Sequence, residues 1–318
     1  MKINAVFEGG GVKGIAIVGA VQAAEECGFQ FNEVAGTSSG AIIASLLAAG
    51  YTSEQLRQII LDTPFIQFVN GRTTWLGSSF RLLFKKGLYS GDPIEQWIYQ
   101  LLAKKAVYTF ADLPALKLRI IASDISDGRL MVLPDDLPLY NIDPSTFLIS
   151  RAVRMSTSIP YFFEPVLIRK NKNDLPIYVV DGALLSNFPL WIFDRERLVS
   201  RQSRSIVPSI GFQLVGKLEQ VPRKIIGPIS MFYALFATMM EAHDERYIED
   251  HNRYRTIKIP TLGVRTTQFD LSDEVSMRLF ESGYDAGMKF FRNWSISSYQ
   301  KDYTKHIIDE RPRLSSYD

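Results

Sequence analysis

Ile3-Asn4-Ala5-Val6-Phe7-Glu8-Gly9-Gly10-Gly11-Val12-Lys13-Gly14 and, further on, Glu33-Val34-Ala35-Gly36-Thr37-Ser38-Ser39-Gly40 are the two stretches that decide the fold. Each is a short apolar run that passes straight into a turn of small residues. After the first turn, residues 15–27 carry apolar side chains at helical spacing and stop at Gly28, a plausible C-cap. After the second, the small apolar segment 41–49 reads as a buried helix closed by Gly50. Strand, turn and helix, twice over, imply a parallel sheet with both faces covered.

The second turn is G-x-S-x-G between a strand and a helix. A sharp strand-to-helix turn forces its serine into a strained backbone and needs small neighbours, Gly36 and Gly40 here. It would present the Ser38 hydroxyl at a helix N-terminus, where backbone N–H groups favour developing negative charge. The plainer reading is a serine that only caps a helix. The glycine cluster favours chemistry, because acyl transfer needs preorganised N–H donors beside the nucleophile. Gly9, Gly10 and Gly11 end the first strand and Ser38 ends the second, so a parallel sheet brings both loops to one edge.

The same glycines also satisfy G-x-G-x-x-G, a dinucleotide fingerprint. That pattern wants an acidic residue at the end of the next strand. Here the strand ends in Gly36-Thr37-Ser38, and Glu33 lies at its start. No G-K-[ST] exists for a P-loop. A third element, Asp181-Gly182-Ala183, follows the apolar run 177–180. Asp181 serves there either as base to the Ser38 hydroxyl or as a turn and capping residue.

Elsewhere, residues 118–122 and 129–133 read as strands joined by an Asp127-Gly128 turn. Residues 145–155 read as a helix, 209–215 as the last sheet strand, and 229–254 and 274–294 as helices. No internal repeat or low-complexity tract appears. The expected fold is three-layer α/β/α with a mainly parallel central sheet, a catalytic domain over 1–215 and a helical C-terminal extension over 216–318.

Composition removes several function classes. The 318 residues are 46% hydrophobic and 22% charged, enough for one large α/β domain. A net charge of +2 gives no footprint for nucleic acid. Cys27 is the only cysteine, so neither an intramolecular disulfide nor a thiolate metal cluster can form, and His243, His251 and His306 lack a zinc spacing. No EF-hand loop appears, so no metal and no organic cofactor is expected. Lys2 precedes a strand-like run, not a signal region, and no apolar run approaches about 18 residues. The chain therefore reads as cytoplasmic, without signal peptide or transmembrane helix; oligomeric state is not legible.

Taken together, these motifs resemble the patatin-like phospholipases over roughly residues 3–215. The loop from Gly9 to Gly14, including Lys13, resembles the family's oxyanion-hole motif, Gly36–Gly40 its nucleophile elbow, and Asp181-Gly182-Ala183 its D-G-[GA] motif. Ser158-Ile159-Pro160 with Phe163 and Pro165, and Asn187 with Pro189, are further similarities. The resemblance implies a lipid acyl hydrolase with a Ser38–Asp181 dyad. An unperturbed Asp, with a pKa of about 3.9, is a weak base for a hydroxyl, so burial or a strong oxyanion hole must help it. A Ser–Asp–His triad through His243 or His251 is the alternative, but both lie in a charged helical stretch. A phospholipid or lysophospholipid substrate is expected. Residues 64–90, rich in Phe, Trp, Leu and Lys, are the candidate for peripheral membrane contact. The stripe of Met231, Phe232, Leu235, Phe236, Met239 and Met240 reads as core. A nucleotide-binding module and an autoinhibited lipid-binding protein stay as rivals from another class.

Overall fold

The computed structural model describes residues 1–69, 82, 84–194, 207–216, 225–227, 230, 231, 234, 235, 238 and 250–308. Strand β1 (Lys2–Phe7) leads through the glycine loop into helix α1 (Gly14–Glu26), and β2 (Gln30–Thr37) turns at Ser38 into α2 (Ser39–Ala48). Helix α3 (Ser53–Leu61) opens with a reciprocal Thr52–Gln55 capping box. Then follow β3 (Gly87–Tyr89), α4 (Asp92–Ala103), β4 (Leu118–Asp124), β5 (Arg129–Leu133), α5 (Ile149–Ser156), β6 (Tyr161–Phe163), β7 (Val166–Ile168), β8 (Ile177–Asp181) and β9 (Ser209–Val215). The described chain continues with β10 (Thr256–Pro260), α6 (Asp273–Asn293) and α7 (Ile296–Tyr303).

The main sheet has the order β10-β9-β1-β2-β4-β8-β7, with β5 paired to β4. The five strands from β10 to β4 are mutually parallel, while β5, β8 and β7 add antiparallel pairs. Side chains of β1 alternate between two cores. Ile3, Ala5 and Phe7 pack with α1 and α2, while Val6 meets Leu190, Ile192 and Phe193 on the other face. On the first face α6 lies along α1, with the Gly283 backbone against the Ala16 carbonyl. This is the expected three-layer arrangement.

Two local readings need correction, and one small sheet had no reading at all. The sheet does not end at β9, because β10 extends it in parallel register, Thr256 opposite Gly211 through Pro260 opposite Val215. Ile257 and Ile259 face inward while Lys258 and Pro260 face out, an alternation too short to stand out. Helix α5 begins at Ile149, not at residue 145. Asp143 accepts the Ser145 amide and hydroxyl, both at 2.8 Å, and this turn competes with the helix. Finally, β3 and β6 form a separate two-stranded parallel sheet that has no sequence signal.

Within the apolar stretch 64–84, residues 70–81 and 83 lie outside the described residues, as do Phe232, Phe236, Met239, Met240 and His243. Met231 and Leu235 are exposed rather than core. Among the described residues no helix is long and apolar enough to cross a membrane.

Candidate active site

Register explains how three distant motifs meet. Phe7 lies opposite Gly36, and Thr37 opposite Ile121, so the loops after β1 and β2 leave the same sheet edge side by side. Their approach is close, since a β-carbon on Gly9 would stand 3.1 Å from Ser38 Cβ. Asp181 arrives differently. Strand β8 runs antiparallel to β4 and stops opposite Ala122, one residue beyond the Ile121–Thr37 pair. The carboxylate thus enters from the side, and Gly182 turns away against the Ile121 carbonyl where a side chain has no room.

Ser38 has φ 54° and ψ −122°, a conformation costing on the order of 1–3 kcal/mol for a residue with a side chain. Tight packing holds it there, with Gly36 against the Gly40 carbonyl and Gly40 against that of Phe7. The Ser38 amide donates to Ser156 Oγ at 2.9 Å, and Thr37 Oγ1 donates to the Ser186 carbonyl at 3.0 Å. Ser38 occupies the N-cap position of α2, yet its side chain makes no capping bond. Its hydroxyl instead donates to Asp181 Oδ2 at 2.7 Å.

The two carboxylate oxygens of Asp181 have separate partners. Oδ2 faces Ser38, and Oδ1 accepts the Ala183 amide at 2.9 Å as a cap. Its own amide donates to the Ser158 carbonyl at 2.9 Å, and buried Arg154 fixes that loop by donating to Ser158 Oγ and to the Glu164 carbonyl. Only 1% of Asp181 is exposed. Burial pushes its carboxyl from an ordinary 3.8 up to about 7, while the Ala183 and Ser38 hydrogen bonds offset part of that rise. Of the triad histidines, His243 and the His251 side chain lie outside the described residues. The Ser38–Asp181 contact is direct.

In the glycine loop most amides already have protein acceptors. Gly9 donates to the Asn187 carbonyl (3.2 Å), Gly10 to Ser39 Oγ (3.0 Å), Val12 to the Thr266 carbonyl (3.2 Å) and Lys13 to the Gly10 carbonyl (3.2 Å). Among the described residues, none accepts from Gly11. Its φ of +56° and the Thr266 carbonyl against it leave room for glycine alone. Fully buried Glu8 braces the loop by accepting from Asn187 Nδ2 (3.3 Å) and the Leu214 amide (2.5 Å). Lys13 is half-buried beside Gly10, and Gly14 packs on Ser39.

Ser38, Ser39 and Gly11 open on a cavity of about 70 Å³ walled by Ile15, Ile43, Phe68, Trp97, Phe163 and Phe269, with no charged residue among its described lining. Phe269 stacks on Phe162 with ring centroids 5.4 Å apart. A larger cleft, about 770 Å³, lies between β10 and the C-terminal helices and contains none of these groups. Sequence reasoning missed Ser156, Thr266 and Phe269. Ser156 lies two residues before the Ser158-Ile159-Pro160 motif, and the other two come from a distant segment without a motif.

A family model for patatin-like phospholipases matches residues 5–194. Over 300 residues, 93% of this chain and 100% of the relative, the chain is 41% identical to the uncharacterized protein YqhO of Bacillus subtilis. It is 28% identical to a cGAMP-activated phospholipase of Escherichia coli across 52% of this chain and 44% of that protein. The fold resembles the crystal structure of VipD from Legionella pneumophila with a TM-score of 0.54 at 17% identity, covering 91% of this chain and 66% of VipD. The motifs, their convergence on one sheet edge and the match over most of the sheet agree, and the chain belongs to the patatin-like phospholipase family.

Proposed function

We infer that the protein is a lipid acyl hydrolase that cleaves carboxylic esters with Ser38 as nucleophile and Asp181 as base. The observation that carries this reading is the 2.7 Å Ser38 Oγ–Asp181 Oδ2 hydrogen bond, made by a buried carboxyl whose pKa is near 7. A base poised near neutral pH is half ionised there and far stronger than an ordinary aspartate. Ser38 Oγ bonds to the ester carbon as its proton passes to Asp181, and the carbonyl oxygen becomes an oxyanion. The Gly11 amide, free of a described acceptor, is the donor best suited to hold it, with Gly9 and Gly10 shaping the loop. Collapse expels the alcohol, which takes the proton from Asp181. Water then attacks the acyl-enzyme with Asp181 again as base, releasing the fatty acid and restoring the Ser38 hydroxyl.

The uncharged cavity supports an acyl chain as the group recognised beside Ser38, with phospholipid or lysophospholipid as substrate. Ile66 and Phe84, both exposed within 64–90, support that segment as the face meeting lipid. The nucleotide reading fits less well, because a phosphate cradle needs several free amides and the loop has turned most of its own inward. Release of fatty acid from phosphatidylcholine or lysophosphatidylcholine vesicles tests the proposal. Turnover lost in Ser38→Ala and in Asp181→Asn supports it, and turnover that survives Ser38→Ala refutes it. A folded wild type inert on both vesicles and soluble esters points instead to an autoinhibited lipid-binding protein.

A further inference from the structure

Thr37, Ser38 and Ser39 place three hydroxyls in a row, and two have clear destinations for their protons. Thr37 donates to the Ser186 carbonyl and Ser38 to Asp181. Ser39 is different. Its oxygen accepts the Gly10 amide at 3.0 Å, which uses a lone pair and leaves the hydroxyl proton to point elsewhere. No described residue takes that proton. Ser45, later in the same helix, has the ordinary fate of a helical serine and donates to the Ile42 carbonyl at 2.8 Å. Ser39 is the first residue of α2, so no helical carbonyl lies one turn behind it. At 8% exposure it is also largely removed from water.

The unassigned proton sits in a telling place. Ser39 lines the same apolar cavity as Ser38 and Gly11, and packing of its side chain against Gly14 limits where it can turn. A hydroxyl that accepts a backbone N–H is polarised into a better donor. Resting on the hydrolase reading above, we propose that the Ser39 hydroxyl is an oxyanion-hole donor. It passes the pull of the Gly10 amide to the oxyanion through its own proton, while Gly11 donates directly. This gives the second small residue of the elbow a chemical role, and gives Gly10 one although its amide does not face the cavity freely. The proton stays on Ser39 throughout.

The test compares hydrolysis of p-nitrophenyl butyrate by the full chain as wild type, Ser39→Ala, Ser39→Thr and Ser38→Ala, with thermal unfolding recorded for each. Removing one oxyanion donor typically lowers kcat by about 100- to 1,000-fold. Ser39→Ala is expected to fall in or just below that range, with KM, the midpoint of the pH profile and the melting temperature little changed. Ser39→Thr keeps a hydroxyl on the same carbon and is expected to recover most of the rate. The opposite result is equally concrete. If the hydroxyl merely occupies Gly10, its removal frees that amide, and Ser39→Ala will be as fast as wild type or faster. A loss that Thr does not recover, accompanied by a lower melting temperature, also overturns the donor role and leaves only packing. Turnover that survives Ser38→Ala overturns the hydrolase reading itself, whereas Ser38-dependent turnover indifferent to Ser39→Ala overturns this proposal alone.

Discussion

Replacing Asp181 by asparagine should make the protein more stable while abolishing turnover, and the size of the gain should depend on pH. A carboxyl at 3.8 in the unfolded chain and about 7 in the folded one binds its proton more tightly in the native state. Its contribution to stability is therefore fully present below pH 3.8 and is lost as pH rises through 7. Integrating that difference gives a cost to the wild-type fold of about 2 kcal/mol at pH 5 and about 4 kcal/mol at pH 8. Asparagine stays neutral and of equal size, but accepts one fewer hydrogen bond from the Ser38–Ala183 pair, which takes back about 1 kcal/mol. The net gain is about 3 kcal/mol at pH 8 and about 1 kcal/mol at pH 5. For a chain this long, with unfolding entropy of about 2.1 cal/mol/K per residue, that is a rise in melting temperature of about 4 °C and 1–2 °C. Calorimetric or circular-dichroism melts of both proteins at the two pH values read it directly. A variant no more stable than wild type at pH 8, or a gain independent of pH, would refute the claim that burial strains this carboxylate.

Other expectations follow from the same geometry. The proposed base, Asp181, would have to be ionised for turnover, so kcat/KM on a soluble ester should rise with pH and level off with a midpoint near 7; a flat profile between pH 5 and 9 would argue against Asp181 as base. Gly11→Ala should lower ester turnover at least 10-fold and destabilise the fold by about 1–2 kcal/mol, because the new side chain meets a positive φ and the Thr266 carbonyl; kinetics and urea denaturation check both. Phe269→Ala removes a wall of the cavity and should shift the preferred p-nitrophenyl ester toward longer acyl chains by two or more carbons, roughly one per buried methylene-sized gap. An unchanged chain-length profile would place the acyl group elsewhere.

What the sequence made legible was local. The glycine loop, the elbow at Ser38 and Asp181-Gly182 each carry their signal within a few residues, because each is a backbone shape that only small side chains permit. The order strand–turn–helix, twice, was enough for a parallel core. What could not be read depends on register between distant segments. Asp181 reaches Ser38 because an antiparallel strand stops one residue beyond the Ile121–Thr37 pair, not because it leaves the sheet as the first two strands do. Strand β10 was hidden by its brevity, with only Ile257 and Ile259 marking its inner face. Thr266 and Phe269 complete the loop and the cavity from more than 220 residues away from Ser38, and nothing in their own neighbourhood announces that. Ser39 was visible as a letter of the motif, but where its hydroxyl proton can point depends on how the glycine loop folds against it.

The most direct test of the account is to treat wild type, Ser38→Ala and Asp181→Asn with a fluorophosphonate and locate the adduct by peptide mass spectrometry. One phosphonylated site, Ser38, is expected, with no adduct in Ser38→Ala and strongly slowed labelling in Asp181→Asn. An adduct on another residue, or labelling of Asp181→Asn at the wild-type rate, would contradict the central claim that Asp181 activates Ser38.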